Sequence, residues 1–104
     1  MRRHVITATA LALAILSGCM TVGRPFPTRE VHRIETGKTT RAEVKEVFGE
    51  PWRTGLEDGQ STWTYGYYRY TLFGERVTRD LVVRFDGRGV VSSYSFNSSE
   101  PDDI

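Results

Sequence analysis

This chain has one cysteine, Cys19, in 104 residues. No disulfide can form within it, so the fold must hold by packing even in an oxidising compartment. It has two histidines, and His4 lies in a basic start, Met1-Arg2-Arg3-His4. Beyond that start, His32 is alone, and a lone histidine cannot build a histidine-based metal cluster. The chain also lacks a long apolar run. Val5–Leu16 is twelve residues with Thr7 and Thr9 as its polar members, whereas a membrane-spanning helix needs about 20. No excess of one charge is present either. Without Arg2 and Arg3, the 14 basic side chains fall to 12 against 13 acidic ones. That balance gives no electrostatic reason for a nucleic-acid partner.

What is present begins at the N-terminus. A basic start, an apolar run and the small residues Ser17-Gly18 follow one another in the order of a secretory signal peptide. Leu16-Ser17-Gly18-Cys19 resembles the bacterial lipobox. The resemblance implies a diacylglyceryl thioether on Cys19, cleavage after Gly18 and acylation of the new amine. A thiol suits that role because its thiolate is a strong nucleophile. Three acyl chains, each methylene contributing about 0.8 kcal/mol, would hold the chain to a membrane almost permanently. Residues 1–18 are therefore expected to be a lipoprotein signal peptide, 19–27 a lipidated tether, 28–97 the folded domain and 98–104 a flexible tail. The mature chain, Cys19–Ile104, has 86 residues, enough for one small domain with a thin core. The tether, with Gly23, Pro25 and Pro27, would hold that domain within roughly 30 Å of the membrane at full extension.

Two helices are expected. Thr28–Glu35 places Val31 and Ile34 on one face. In Thr40–Phe48, Thr40 and Glu43 fit a capping box, Val44, Val47 and Phe48 form an apolar stripe, and Gly49 and Pro51 end the helix. Leu56–Gln60 reads as a loop with Asp58-Gly59 as its turn. The period then becomes alternating. Trp63, Tyr65 and Tyr67 share one face of a first strand, Leu81, Val83 and Phe85 one face of a second. Val90, Tyr94 and Phe96 share one face of a third, interrupted by Ser92. The segment around Phe73-Gly74-Glu75 joins the first two strands, and Asp86-Gly87-Arg88-Gly89 the last two. These elements predict an α+β two-layer sandwich, with two helices packed on one face of a three-stranded antiparallel meander sheet.

Little in this pattern points to chemistry. Gly37-Lys38-Thr39 is similar to the end of a phosphate loop, but that motif needs a glycine where His32 stands and a strand before it. Ser92, Ser93 and Ser95 lack the strained turn of a serine nucleophile. Glu100, Asp102 and Asp103 read as a solvated acidic end. No catalytic residue, cofactor site or metal site is expected. The notable stretch is Trp63–Tyr70, with five aromatics in eight positions. With Trp63, Tyr65 and Tyr67 buried, Tyr68 and Tyr70 fall on the opposite face with Thr62, Thr64, Asp80, Val82, Arg84 and Val91. Tyrosine and arginine are enriched at interfaces, so Tyr68, Arg69, Tyr70 and Arg84 are candidates for binding a partner.

From Thr36 onward the sequence resembles the SmpA/OmlA (BamE-like) family of outer-membrane lipoproteins. The matching pieces are Gly37-Lys38-Thr39-Thr40-Arg41-Ala42-Glu43-Val44, Phe48-Gly49-Glu50-Pro51, Thr62-Trp63-Thr64-Tyr65, Leu81-Val82-Val83-Arg84-Phe85-Asp86 and Gly89-Val90-Val91. The resemblance implies an ααβββ fold and a periplasm-facing place on the outer membrane. It also implies a non-enzymatic scaffold or accessory role, with envelope proteins such as the β-barrel assembly machinery as partners. Met20 stands where an aspartate would favour retention in the inner membrane, so onward export is permitted. An alternative reading is an inhibitory or ligand-binding module, because the same sandwich in duplicate resembles the β-lactamase inhibitor proteins, which grip enzymes with an aromatic-rich sheet.

Overall fold

The computed structural model describes residues 19–104; the expected signal peptide lies outside the described residues. Five antiparallel strands form one sheet: β1 (Met20–Gly23), β2 (Arg53–Glu57), β3 (Gln60–Tyr70), β4 (Arg76–Phe85) and β5 (Val91–Ser98). One α-helix, α1 (Arg41–Phe48), and a 3-10 turn, Thr28–Arg33, lie on one face. The expected two helices on a three-stranded sheet are thus corrected, among the described residues, to one helix and a short turn on five strands. The three long strands β3, β4 and β5 are the expected meander, and β1 and β2 are additional.

Both additional strands pair with the same edge of β3. Met20–Gly23 runs antiparallel to Tyr67–Tyr70, and Arg53–Glu57 to Gln60–Thr64. The chain leaves β1 at Arg24, whose amide donates to Gly66 O (2.9 Å), crosses the covered face, and returns at Trp52, whose amide donates to Thr64 O (2.8 Å). The segment read as part of a tether is therefore a strand. Gly23 makes this possible: its φ of 81° and its approach to Gly66 leave no room for a side chain, since a Cβ would sit 2.0 Å from Gly66 O. β2 is exposed along its whole length, so backbone pairing rather than an apolar face holds it. Its turn into β3, Asp58-Gly59, has positive φ at both residues (51° and 78°), the geometry that suits the right-handed twist of a two-residue hairpin.

The helix follows its sequence signals. Thr40 Oγ1 accepts from the Glu43 amide (3.3 Å) and its hydroxyl donates to the Glu43 carboxylate (3.2 Å). Gly49 closes the helix with its amide on Lys45 O (2.8 Å). Thr28–Arg33 remains a 3-10 turn, with amides reaching back three residues, Ile34 to Val31 O and Glu30 to Pro27 O (both 3.1 Å). A segment of this length with two apolar anchors cannot repay helix nucleation by itself, and one turn is enough to bury Val31 and Ile34.

The core comprises Val31, Ile34, Val44, Phe48, Tyr65, Leu81, Val83, Phe85 and Val91, with Phe26, Val47, Trp63 and Phe96 packed against it. Phe26 comes from the segment between two prolines that carried no apolar pattern. It meets Tyr65 (6.1 Å) and Phe96 edge-on (6.4 Å). Val91 had been expected on the opposite face. β5 carries a bulge opposite Arg84 and Phe85, so that Ser93 pairs with Arg84 but Val91 pairs with Phe85. The extra residue, Ser92, reverses the alternation and turns Val91 into the core. No such shift occurs in β3, which runs in continuous register with β4 through Gly66.

Tyr65 links the layers: its hydroxyl donates to Gly49 O (2.8 Å) at the end of α1. Burial, with a contribution from the Glu50 charge, pushes its phenol up to about 12. A phenol whose folded pKa is raised contributes stability that is complete below the unfolded value, near 10, and is lost as pH rises through the folded one. The melting temperature should therefore fall steeply between about pH 10 and 12, and Tyr65→Phe should remove this component. Equal alkaline slopes in the two proteins would contradict that origin.

Candidate functional site

The helix and 3-10 turn cover one face of the sheet, and the other face is open. Strand register fixes what the open face carries: Thr62, Thr64, Gly66, Tyr68 and Tyr70 from β3, then Arg76, Thr78, Asp80, Val82 and Arg84 from β4, with Ser93, Ser95 and Asn97 from β5. Tyr68, Tyr70 and Arg84 thus share the open face. Arg69 alternates to the other side, opposite Val77, and is exposed beyond the region that the helix covers.

The four candidate residues do not form one cluster. Tyr70 is opposite Arg76 and Arg84 opposite Thr62, roughly 26 Å apart along β4 at about 3.3 Å per residue. Each has its own surroundings. Tyr68 is half-buried: Trp52 meets it edge-on (6.4 Å), and a methyl on Gly66 would come within 2.9 Å of its Cε2. The Arg53 guanidinium lies over Trp52 (5.5 Å). Burial, then the Asp80 charge, raises the Tyr68 phenol above its usual value. The stack Arg53–Trp52–Tyr68 is an amphipathic ridge at the edge of the open face. Trp52 is the member that sequence reading missed, because β2 shows no alternation to assign it to a sheet. Arg84 pairs with Glu57, and its Nε is enclosed without a partner among the described residues. Tyr70 is more open and pairs across the sheet edge with Met20.

The motif residues serve the fold. Gly37 donates to Val91 O (2.7 Å), Val91 to Thr39 O (2.8 Å) and Arg41 to Gly89 O (3.0 Å). The Gly37–Thr40 turn is thus clamped to the Gly89–Val91 turn. Arg41 also lies over the Phe85 ring (5.5 Å).

His32 is exposed beside a cleft of about 620 Å³ that Thr28, Val31, Tyr94, Phe96 and Asp103 help to line. Ser93 and Ser95 lie on the open face, away from the 3-10 turn that carries His32. Ser92 Oγ donates to Gln60 Oε1 (2.8 Å). The histidine and the serines are not brought together. Asp103, expected in a loose tail, accepts from Arg79 Nε (2.7 Å), Thr28 Oγ1 (3.2 Å) and Ser98 Oγ. These bonds hold its carboxyl below the usual range, the Ser98 hydroxyl contributing most. No group of three potential metal ligands occurs among the described residues. No helix among them is long and apolar enough to cross a membrane. Cys19 is exposed immediately before β1.

Comparison with known proteins gives one match. A family model described as the outer membrane protein assembly factor BamE domain matches residues 24–95. No curated protein and no solved structure matches the chain. The matched span runs from the residue after β1 into β5, so it takes in the clamp between the Gly37 and Gly89 turns and almost all of the core. The chain belongs to the BamE family.

Proposed function

We propose that this chain is a lipid-anchored outer-membrane protein facing the periplasm. It acts without chemistry of its own, as an accessory or scaffold in the assembly of outer-membrane β-barrel proteins. The family match over residues 24–95 carries the proposal. Two features of the chain support the finer points. Leu16-Ser17-Gly18-Cys19 has the form of a lipidation site, with residues 1–18 as the export signal. The open sheet face combines aromatic, polar and basic groups, the mixture enriched where proteins bind each other.

The partners in this reading are envelope proteins of the barrel-assembly machinery, and Tyr68, Tyr70 and Arg84 face them across the open sheet, with Arg69 at its border. A tagged chain solubilised in mild detergent should co-purify with barrel-assembly subunits. Tyr70→Ala, at an exposed position, should weaken that recovery severalfold while lowering the melting temperature by no more than about 4 °C, since surface substitutions usually change stability by less than about 0.5 kcal/mol and 1 kcal/mol moves the midpoint of a domain this size by about 4–8 °C. Unchanged recovery in Tyr70→Ala would remove this part of the face from the interface. Absence of every assembly subunit, under conditions that retain a known one, would overturn the assignment.

A further inference from the structure

Resting on lipidation at Cys19, we infer that the β3–β4 hairpin tip, through Leu72 and Phe73, enters the bilayer interface beside the acyl chains and fixes the domain's orientation on the membrane. The tip is a closed turn. Thr71 donates its amide (2.9 Å) and its hydroxyl (3.1 Å) to Glu75 O, and Gly74 donates to Thr71 O (3.2 Å). The bonds between Thr71, Gly74 and Glu75 close the turn, and it projects two large apolar side chains that are not part of the core. Leu72 is 62% exposed and Phe73 94%. A single exposed apolar residue needs no explanation, but two at a tip, next to Met20 at 62%, make a patch.

The position of Cys19 decides in favour of lipid over a protein partner. β1 begins at Met20, and Met20 pairs with Tyr70. Continuing that register by one residue puts Cys19 beside Thr71, at the foot of the hairpin, about 5 Å away at ordinary strand spacing. No free tether separates the anchor from the sheet. Acyl chains on Cys19 would enter the bilayer within a few residues of Leu72 and Phe73, and the tip could not be carried far from the surface. The residues just behind it suit the headgroup level. Arg69 and Arg76 have long stems that can lie along apolar surface while their charges stay in water. The opposite end of the sheet, at the β4–β5 turn, carries Asp86 and Arg88 instead.

The test uses the mature lipidated chain, in which the thioether on Cys19 leaves no thiol. Leu72→Cys and, as a control, Arg88→Cys each supply one site for the polarity-sensitive fluorophore NBD. The proteins are reconstituted into phosphatidylcholine vesicles, with and without lipid bearing a shallow doxyl quencher. The fluorophore at position 72 should shift to the blue and lose at least half of its emission to the quencher, while that at 88 should stay water-like and unquenched. If both proteins float with the vesicles but position 72 behaves like 88, the anchor stands and this inference falls. If position 72 becomes protected only after outer-membrane proteins are added, the tip binds protein and the inference also falls. If neither protein floats with the vesicles, the anchor reading fails and takes this inference with it.

Discussion

Cys19→Ala should reduce incorporation of labelled palmitate into this chain to background. Alanine provides no sulfur for the thioether, and Cys19 is the chain's one cysteine, so no neighbouring thiol can substitute. The effect is all-or-none because the chemistry is. Three acyl chains at about 0.8 kcal/mol per buried methylene give practically irreversible attachment, and removing them leaves nothing comparable. Acyl labelling is a better readout than fractionation. An uncleaved precursor would keep the apolar run Val5–Leu16 and would sediment with membranes for a different reason. Acyl incorporation that persists in Cys19→Ala would remove Cys19 as the attachment site, and with it the inference that sets the anchor beside the β3–β4 hairpin.

Phe85→Ala should be the most damaging single substitution within the sheet. Phe85 is fully buried. Its ring meets Trp63 edge-on at 4.9 Å, and the Arg41 guanidinium lies 5.5 Å from its centroid. It pairs with Val91 beside the β5 bulge, where α1, β3, β4 and β5 converge. Truncating such a phenylalanine costs about 3–5 kcal/mol. A domain of this size has on the order of 4–13 kcal/mol in total, at about 0.05–0.15 kcal/mol per residue. The variant should therefore show a much lower urea midpoint, or be partly unfolded without denaturant. Leu56→Ala is the contrasting control: Leu56 is 78% exposed on β2 and should shift the midpoint little. Similar losses in the two variants would mean that the core is not organised around Phe85.

The sequence made part of this fold legible, and the boundary has physical causes. α1 announces itself because its cap, stripe and stop signals all agree. β3, β4 and β5 alternate because one face is covered and the other is wet. β2 has no such contrast, since every residue from Arg53 to Glu57 is exposed, and backbone pairing leaves no trace in side-chain pattern. β1 was hidden similarly: Met20–Gly23 is too short for periodicity, and it adheres to β3 through its backbone and the closeness of Gly23 to Gly66. Alternation predicts Val91 on the open face, but a bulge at Ser92 changes the count by one, and a period-two pattern has no tolerance for that.

The candidate site was legible in a different proportion. Cys19 is proposed as the lipidated residue from its local motif alone. The open face could be read as a parity, which correctly grouped Tyr68, Tyr70 and Arg84. Their separation could not, because it depends on where the strands pair. Arg69 sat in the same tripeptide as Tyr68 and Tyr70, yet alternation sends it to the other side. Trp52 and Leu72 carry no pattern that marks them, and Phe73 reads only as part of the segment that joins two strands. Only the strand register, which sets Tyr70 opposite both Met20 and Arg76, shows that the start of β1, next to Cys19, and the β3–β4 hairpin occupy one end of the sheet.

The most direct measurement is the rate at which newly exported β-barrel proteins acquire their folded, heat-modifiable form, followed by pulse-chase in cells with and without this chain. An accessory role in assembly is expected to slow that step severalfold when the chain is absent, with recovery on expression of the wild type and none on expression of Cys19→Ala. Barrel folding at the same rate with and without the chain, while its partners remain at normal levels, would contradict a role in outer-membrane protein assembly.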